Sequence, residues 1–344
     1  MQNTTTVRNI CLVQDEFKYT LYTSVFSIIF ILGLLLNMVA LYIFICTLKP
    51  RNETTIYMLN LGVCDMLFVL SLPFRISYFL NKKWTFGPEF CKITVALFNM
   101  NLYGSILFLT CISADRFLAI VYPFASRSLR TRRNAKIACS SVWLLVLSVS
   151  LAAGLQLKTT NEHDRTRYCF ENYNSSQWKS ELYKVVLVME TLGFMIPLLI
   201  NLFCSMMILR TLRNLDTIQS ERQLNKAKIF RMIVVHLLVF CFCFIPYNVN
   251  LIFYTLVRSE AIDNCTVKNI VKIFYPIALC IAVTNCCFNP VIYYFTSETF
   301  QNCFKRKSDA SKSARRHCNG SDNKPPENRA EHVMAKLILI ESTV

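Results

Sequence analysis

Seven apolar blocks separated by short polar stretches constrain this chain more than any other feature. They run from about Tyr19 to Leu48, Thr54 to Leu80, Ile93 to Ala114, Ile137 to Leu157, Val185 to Leu209, Met232 to Val257 and Ile273 to Ser297. Each spans about 20 to 30 residues, the length a tilted helix needs to cross a bilayer. In hydrocarbon a backbone must satisfy its own hydrogen bonds, so isolated apolar blocks of this length predict helices. A soluble chain of 344 residues with the same 54% hydrophobic content would distribute its apolar residues in amphipathic stripes. No repeat of about 20 to 50 residues is evident, which argues against a solenoid or a repeat-built transporter. The expected class is an all-α membrane protein, a seven-transmembrane helix bundle.

The formal net charge of +16 would suggest a nucleic-acid partner for a soluble protein, but its placement has a plainer origin. Lys49 and Arg51, then Arg127, Arg130, Arg132, Arg133 and Lys136, then Arg210, Arg213, Arg222, Lys226, Lys228 and Arg231, then Lys305, Arg306 and Lys307 fall on one side of the alternating blocks. The positive-inside rule makes that side cytoplasmic and the N-terminus extracellular. Residues 1–18 are polar with no apolar core, so the first helix is expected to act as its own insertion signal. The domain plan is an extracellular segment at 1–18, a bundle at 19–296, an amphipathic eighth helix at 297–307 and a disordered cytoplasmic tail at 308–344. Ser297 can cap that eighth helix, Phe300 and Phe304 share one face of it, and Cys303 or Cys318 is a candidate for palmitoylation.

Most of the 16 cysteines lie within apolar blocks, where cysteine behaves as a small hydrophobe. Four fall in loops facing an oxidising compartment: Cys11, Cys91, Cys169 and Cys265. Sequence alone allows three connectivities, and zinc is disfavoured because no C-x-x-C pair or His cluster accompanies them. Asn3 and Asn174 open N-x-S/T glycosylation patterns on the side read as external. Inside the blocks, Asn37 is a lone amide, Asp65 a carboxylate near mid-membrane and Glu190 the single carboxylate of the fifth block. Intramembrane acids are costly and are functional candidates by default. His236 is expected to be a packed polar residue.

The third block ends in Asp115-Arg116-Phe117. Asn37, Asn60-Leu61-Gly62-Val63-Cys64-Asp65, Trp143, Pro197, Phe244-Ile245-Pro246 and Asn289-Pro290-Val291-Ile292-Tyr293 follow in order on the other six. This set resembles the rhodopsin-like G-protein-coupled receptors. The resemblance implies disulfides Cys91 to Cys169 and Cys11 to Cys265, and a polar cluster of Asp65, Asn101, Ser105, Asn285 and Asn289 holding an allosteric sodium ion. One carboxylate with neutral oxygens suits a hard monovalent cation; no other cofactor is implied. It further implies that Asp115 holds Arg116 at rest. Phe244, Pro246, Pro290 and Tyr293 would take part in the swing of the sixth and seventh helices, with a heterotrimeric G protein and arrestin as partners. Pro197, Pro246 and Pro290 each remove a backbone hydrogen bond and permit bending. Phe117 stands for a commoner tyrosine and Phe244 for a frequent tryptophan.

The external side carries many cations. Arg75, two residues after Pro73 inside the second block, lies about three turns outward from Asp65. A guanidinium at that depth must face the bundle interior or snorkel, and inward it suits a phosphate. Lys18, Arg258 and Lys272 sit at helix ends where they can converge with it, and Arg165 and Arg167 lie in the second external loop. Glu190 is placed to line the same cavity. Nucleotide receptors resembling this chain carry H-x-x-(R/K) after the sixth-helix proline motif; here the place reads Asn248-Val249-Asn250-Leu251. Phe17-Lys18-Tyr19-Thr20-Leu21-Tyr22, Leu72-Pro73-Phe74-Arg75, Gly104 to Ser113 and Arg130 to Lys136 look like the purinergic-related lysophosphatidic acid receptors, in which aspartate is common at the position of Asn289. That resemblance implies a plasma-membrane receptor for lysophosphatidic acid or a related lysophospholipid. A nucleotide receptor is the alternative, and a transporter a more distant one. A membrane enzyme would need a constellation such as H-E-x-x-H or G-x-S-x-G, and neither occurs.

The chain ends in Ser342-Thr343-Val344, which fits the carboxylate-capture mode of PDZ domains. A pull-down with the intact tail is expected to recover PDZ-domain proteins and a tail lacking Val344 to lose them; equal recovery would refute the motif.

Overall fold

The computed structural model describes residues 16–48, 52–155, 169, 182–214 and 220–296. Cys11, Arg165, Arg167, Asn3, Asn174, the expected eighth helix with Cys303, Cys318, and the tail with its C-terminal Ser342, Thr343 and Val344 lie outside them. Among the described residues, seven helical stretches are long and apolar enough to cross a membrane: Phe17–Cys46, Glu53–Asn81, Pro88–Val121, Arg132–Leu151, Tyr183–Asn214, Lys226–Arg258 and Cys265–Tyr293. They are the first to seventh spans below. Each coincides with one apolar block of the sequence.

Local chemistry explains where the spans begin. Asn52 caps the second, its side-chain oxygen accepting from the Thr55 N–H at 2.8 Å, and Glu53 places an acid against the positive end of the helix. Gly87, at φ 85°, turns the chain so that Pro88 can occupy the first helical turn of the third span. Asn264 caps the seventh, accepting from the N–H groups of Thr266 and Val267 at 2.9 and 3.2 Å.

Three spans depart from a simple α-helix. The first ends in a π-helical turn over Ile43–Leu48, and the fifth passes through another at Thr191–Met195, just before Pro197. The seventh is interrupted at Thr284, between helices Cys265–Val283 and Asn285–Thr296. The break therefore falls six residues before Pro290, the residue expected from sequence to permit bending. Thr284 turns its hydroxyl back onto the Ile281 carbonyl at 2.6 Å, which competes with the helical ladder.

Pro290 has another consequence. It offers no N–H to the carbonyl one turn earlier, that of Cys286. Asn37 of the first span supplies the missing donor, with Nδ2 2.9 Å from that carbonyl oxygen. The lone amide of the first block thus joins the first span to the seventh.

Between spans the packing is close. Trp143 of the fourth span donates to Asn60 Oδ1 of the second at 2.9 Å. The second and third spans meet where Gly104 faces Cys64, and a Cβ on Gly104 would stand 2.9 Å from the Cys64 sulfur. Gly104→Val is expected to force these spans apart and to cost about 1–3 kcal/mol. The check is a lowered thermal midpoint of the purified protein, and an unchanged midpoint would contradict the close approach.

Candidate functional site

Near the start of the first span a cavity of about 350 Å³ opens between the helices. Lys18, Arg75, Arg258 and Lys272 all line it, contributed by the first, second, sixth and seventh spans. Arg75 is only 5% exposed. Its Nη2 donates to the Thr94 carbonyl at 3.2 Å, and its guanidinium lies 4.2 Å from the centre of the Phe98 ring. A carbonyl and an aromatic face thus orient the guanidinium while leaving it on the cavity wall. Of the other cations near this end, Lys82 pairs with Glu16, and Lys268 with Asp263 at 2.5 Å.

Apart from Asn99, the remaining wall is aromatic and aliphatic. Tyr254 stacks on Tyr275 at 4.4 Å and Tyr247 lies 6.0 Å from the same ring, and all three face the cavity. Sequence reasoning missed these tyrosines. Their signal was periodicity: Tyr254 precedes Arg258 by four residues and Tyr275 follows Lys272 by three, so each shares its cation's helix face. Phe26, Val95, Met189 and Leu279 complete an apolar side. Beside it, an apolar crevice between the third, fourth and fifth spans shares Tyr103 and Met189 with the cavity. Tyr103 packs tightly there, since a Cβ on Gly193 would come within 2.6 Å of its ring.

Glu190 does not line the cavity; its neighbour Met189 does. The carboxylate is instead buried, with neither oxygen hydrogen-bonded, within electrostatic reach of Tyr103. At the mouth, Cys91 is joined to Cys169, their Cα atoms 5.9 Å apart. Cys265 is also disulfide-bonded, and its expected partner Cys11 lies outside the described residues.

Deeper in the bundle, Asp65 is fully buried. Asn101 and Asn289 donate to its two oxygens at 2.8 Å each, and Ser105 lies at 3.5 Å. Asn285 is also buried but makes no hydrogen bond to Asp65. The side-chain oxygens of Asn101, Asn285 and Asn289 are all buried without a hydrogen-bond partner. A carboxylate beside unsatisfied amide oxygens is a donor set for a hard monovalent cation. A second polar link crosses the bundle nearby: Asn201 donates to Thr110 Oγ1 at 2.6 Å, and His236 Nε2 lies 3.3 Å from Asn201 Oδ1. His236 is thus a packed polar residue joining the sixth span to the fifth.

At the opposite end the expected pair of Asp115 with Arg116 is absent, and Asp115 is instead held by Arg130. Arg130 Nε lies 2.8 Å from Asp115 Oδ1, with Nη2 3.4 Å from Oδ2. Hydrogen bonding to Asp115 holds the Arg130 guanidinium pKa above its ordinary value. Arg116 turns to Thr54, its Nη2 donating to Oγ1 at 2.5 Å. The physical reason is geometric: the loop after the third span delivers Arg130 to Asp115 with its fork side-on, and the Thr54 hydroxyl, which donates to Asp115, stands between the carboxylate and Arg116.

The remaining switch residues pack as hydrophobes. Phe117 meets Tyr122 and Phe203 edge-on at 5.6 and 5.7 Å, which gives an aromatic role to a position that lacks the tyrosine hydroxyl. Phe244 is buried against Phe240 at 5.3 Å, two residues before Pro246, and Tyr293 against Phe44 at 5.2 Å, three residues after Pro290. Ile208, Leu212, Met232 and Ile233 form a buried cluster that includes Phe117 at its edge, so the third, fifth and sixth spans are closed together at this end.

The family model described as the 7 transmembrane receptor (rhodopsin family) matches residues 36–293. The chain is 55% identical to lysophosphatidic acid receptor 6 of Homo sapiens over 299 residues, 87% of each chain. It is 52% identical to lysophosphatidic acid receptor 4 of Homo sapiens, over 87% of this chain and 80% of that one. Identity to lysophosphatidic acid receptor 5 of Mus musculus is 35%, over 88% and 82%. With a family model covering most of its length and every membrane span it requires in place, the chain belongs to the rhodopsin family of seven-transmembrane receptors, membrane proteins that signal rather than catalyse.

Proposed function

We propose that this chain is a plasma-membrane receptor for lysophosphatidic acid, with its N-terminus outside, which passes occupancy of the cationic cavity to a heterotrimeric G protein. The observation that carries this reading is the convergence of Lys18, Arg75, Arg258 and Lys272 from four spans on one cavity whose other walls are mainly aromatic and aliphatic. A phosphomonoester would meet several cations at once, with Arg75 able to form paired hydrogen bonds. The acyl tail would lie along the apolar side and the adjoining crevice. A tail that arrives from the bilayer has already left water, so it adds little net affinity and the head group must discriminate.

A nucleotide polyphosphate fits less well. At the position where nucleotide receptors carry a further cation, Leu251 faces the cavity, while the Asn248 amide is spent on the Phe244 carbonyl at 2.8 Å. The cationic wall has no deeper continuation there for a second or third phosphate.

The cluster around Asp65 is proposed to hold a sodium ion, with the amide oxygens of Asn101, Asn285 and Asn289 as neutral donors. The ion would supply the positive charge that the buried carboxylate lacks and would favour the closed bundle. Asn289 tempers this, because it donates a hydrogen bond to Asp65 that an aspartate could not.

Arg75→Ala is expected to raise the half-maximal lysophosphatidic acid concentration by at least about tenfold, or 1.4 kcal/mol, without lowering surface expression. An unchanged dose-response would refute the pocket. Replacing choline chloride with sodium chloride is expected to weaken agonist binding in the unmodified receptor, and Asp65→Asn to abolish that difference. Sodium sensitivity that survives Asp65→Asn would place the ion elsewhere.

A further inference from the structure

Two guanidinium groups stand within reach of one carboxylate at the closed end of the bundle, and only one of them holds it. Asp115 is 5% exposed and accepts from three donors: Arg130 Nε at 2.8 Å, Arg130 Nη2 at 3.4 Å and the Thr54 hydroxyl at 2.5 Å. Glu53 Oε2 lies 4.0 Å from Arg130 Nη2, so a second acid supports the same guanidinium. Arg116 is left with a neutral partner. Its Nη2 donates to Thr54 Oγ1, which in turn donates its single proton to Asp115, and its Nε is buried with no acceptor. One hydroxyl therefore separates Arg116 from the carboxylate beside it in sequence.

Arg130 is not placed there by chance of a loose loop. A 3₁₀ turn over Ala125–Ser128 is tied to the third span by Ser126 Oγ, which donates to the Leu118 carbonyl at 2.9 Å. The Arg130 N–H donates to the Ser126 carbonyl at 2.9 Å, and Asn134 Nδ2 to the Leu129 carbonyl at 2.9 Å. The backbone on both sides of Arg130 is therefore bonded, and its side chain reaches Asp115 from a constrained base.

We infer that Arg130 is a positioning residue for signalling: by occupying Asp115 it keeps Arg116 out of an ion pair and available to a G protein. The loop between the third and fourth spans then sets the resting activity of the receptor through competition for a single carboxylate. Without Arg130, Asp115 would have two vacant acceptor directions and an unsatisfied guanidinium next to it. Arg116 would turn from Thr54 to Asp115, a charge-assisted bond replacing one to a hydroxyl. Its release would then become an added cost of coupling.

This inference rests on G-protein coupling but not on the identity of the ligand, and the test separates the two. The full-length receptor in lipid nanodiscs is assayed for guanine-nucleotide exchange on a panel of purified heterotrimers covering the Gαs, Gαi, Gαq and Gα12 classes, with and without lysophosphatidic acid. At equal receptor amounts, Arg130→Ala is expected to lower agonist-independent exchange by about threefold, the scale of a partly exposed ion pair. Arg130→Lys, which keeps a charged donor, is expected to retain most of the activity. In an Asp115→Asn background, adding Arg130→Ala is expected to change nothing, because the contested charge is gone. A merely structural role for Arg130 would lower activity equally in both backgrounds, and that result would overturn the inference. So would unchanged or increased exchange in Arg130→Ala. Should Arg130→Ala purify poorly, Arg130→Gln in the same two backgrounds gives the same comparison. A receptor with agonist-independent exchange but no response to lysophosphatidic acid would sink the ligand reading alone.

Discussion

A carboxylate fully removed from water in the middle of a membrane must collect hydrogen-bond donors from its neighbours or a counter-ion. Asp65 does the first with Asn101 of the third span and Asn289 of the seventh, so one side chain of the second span draws three helices to a common point. The same demand acts on the backbone. Pro290 leaves the Cys286 carbonyl without its helical donor, and Asn37 of the first span supplies one. Four spans are thus held by polar bonds that hydrocarbon makes expensive to break. Apolar packing alone would not choose this arrangement, because lipid tails solvate leucine and isoleucine as well as a neighbouring helix does.

Around that fixed centre the two ends of the bundle differ. At one, cations from the first, second, sixth and seventh spans surround an open cavity. At the other, Met232 and Ile233 of the sixth span are buried against Ile208 and Leu212 of the fifth, with Phe117 of the third at the edge. A phosphate between the four cations would draw them together. Because Arg258 and Lys272 sit on the sixth and seventh spans, drawing them toward Arg75 applies a displacement to the spans that carry Pro246 and the break at Thr284. Such a rocking motion would part the hydrophobic cluster at the far end, the kind of two-state rearrangement that packed interfaces support. Between the ends, the Thr110, Asn201 and His236 link resists movement of the sixth span until its own bonds yield.

Much of this was legible without coordinates. The number, order and approximate limits of the spans follow from apolar length, because the bilayer leaves the backbone few alternatives. The placement of Asp65 among amides, and of Arg75 inside an apolar helix, follows from the cost of burying charge. What sequence could not supply was the choice among partners of similar chemistry. Asp115 had two arginines within reach, and only the path of the Ala125–Ser128 turn brings Arg130 rather than Arg116 to it. Met189 faces the cavity and the Glu190 beside it does not, a difference set by how the fifth span is rotated through its π-helical turn.

Thus the chain's own residues determined that seven helices cross a membrane, where charge accumulates and which polar groups must be satisfied inside. These are local consequences of composition and length. The tertiary structure alone decided that four cations share one cavity, that Asn37 reaches the Cys286 carbonyl left open by Pro290 across 249 positions of sequence and that the seventh span breaks at Thr284. Each depends on rotation and offset between helices. A periodic apolar pattern leaves those free when lipid and protein are equally good solvents for it.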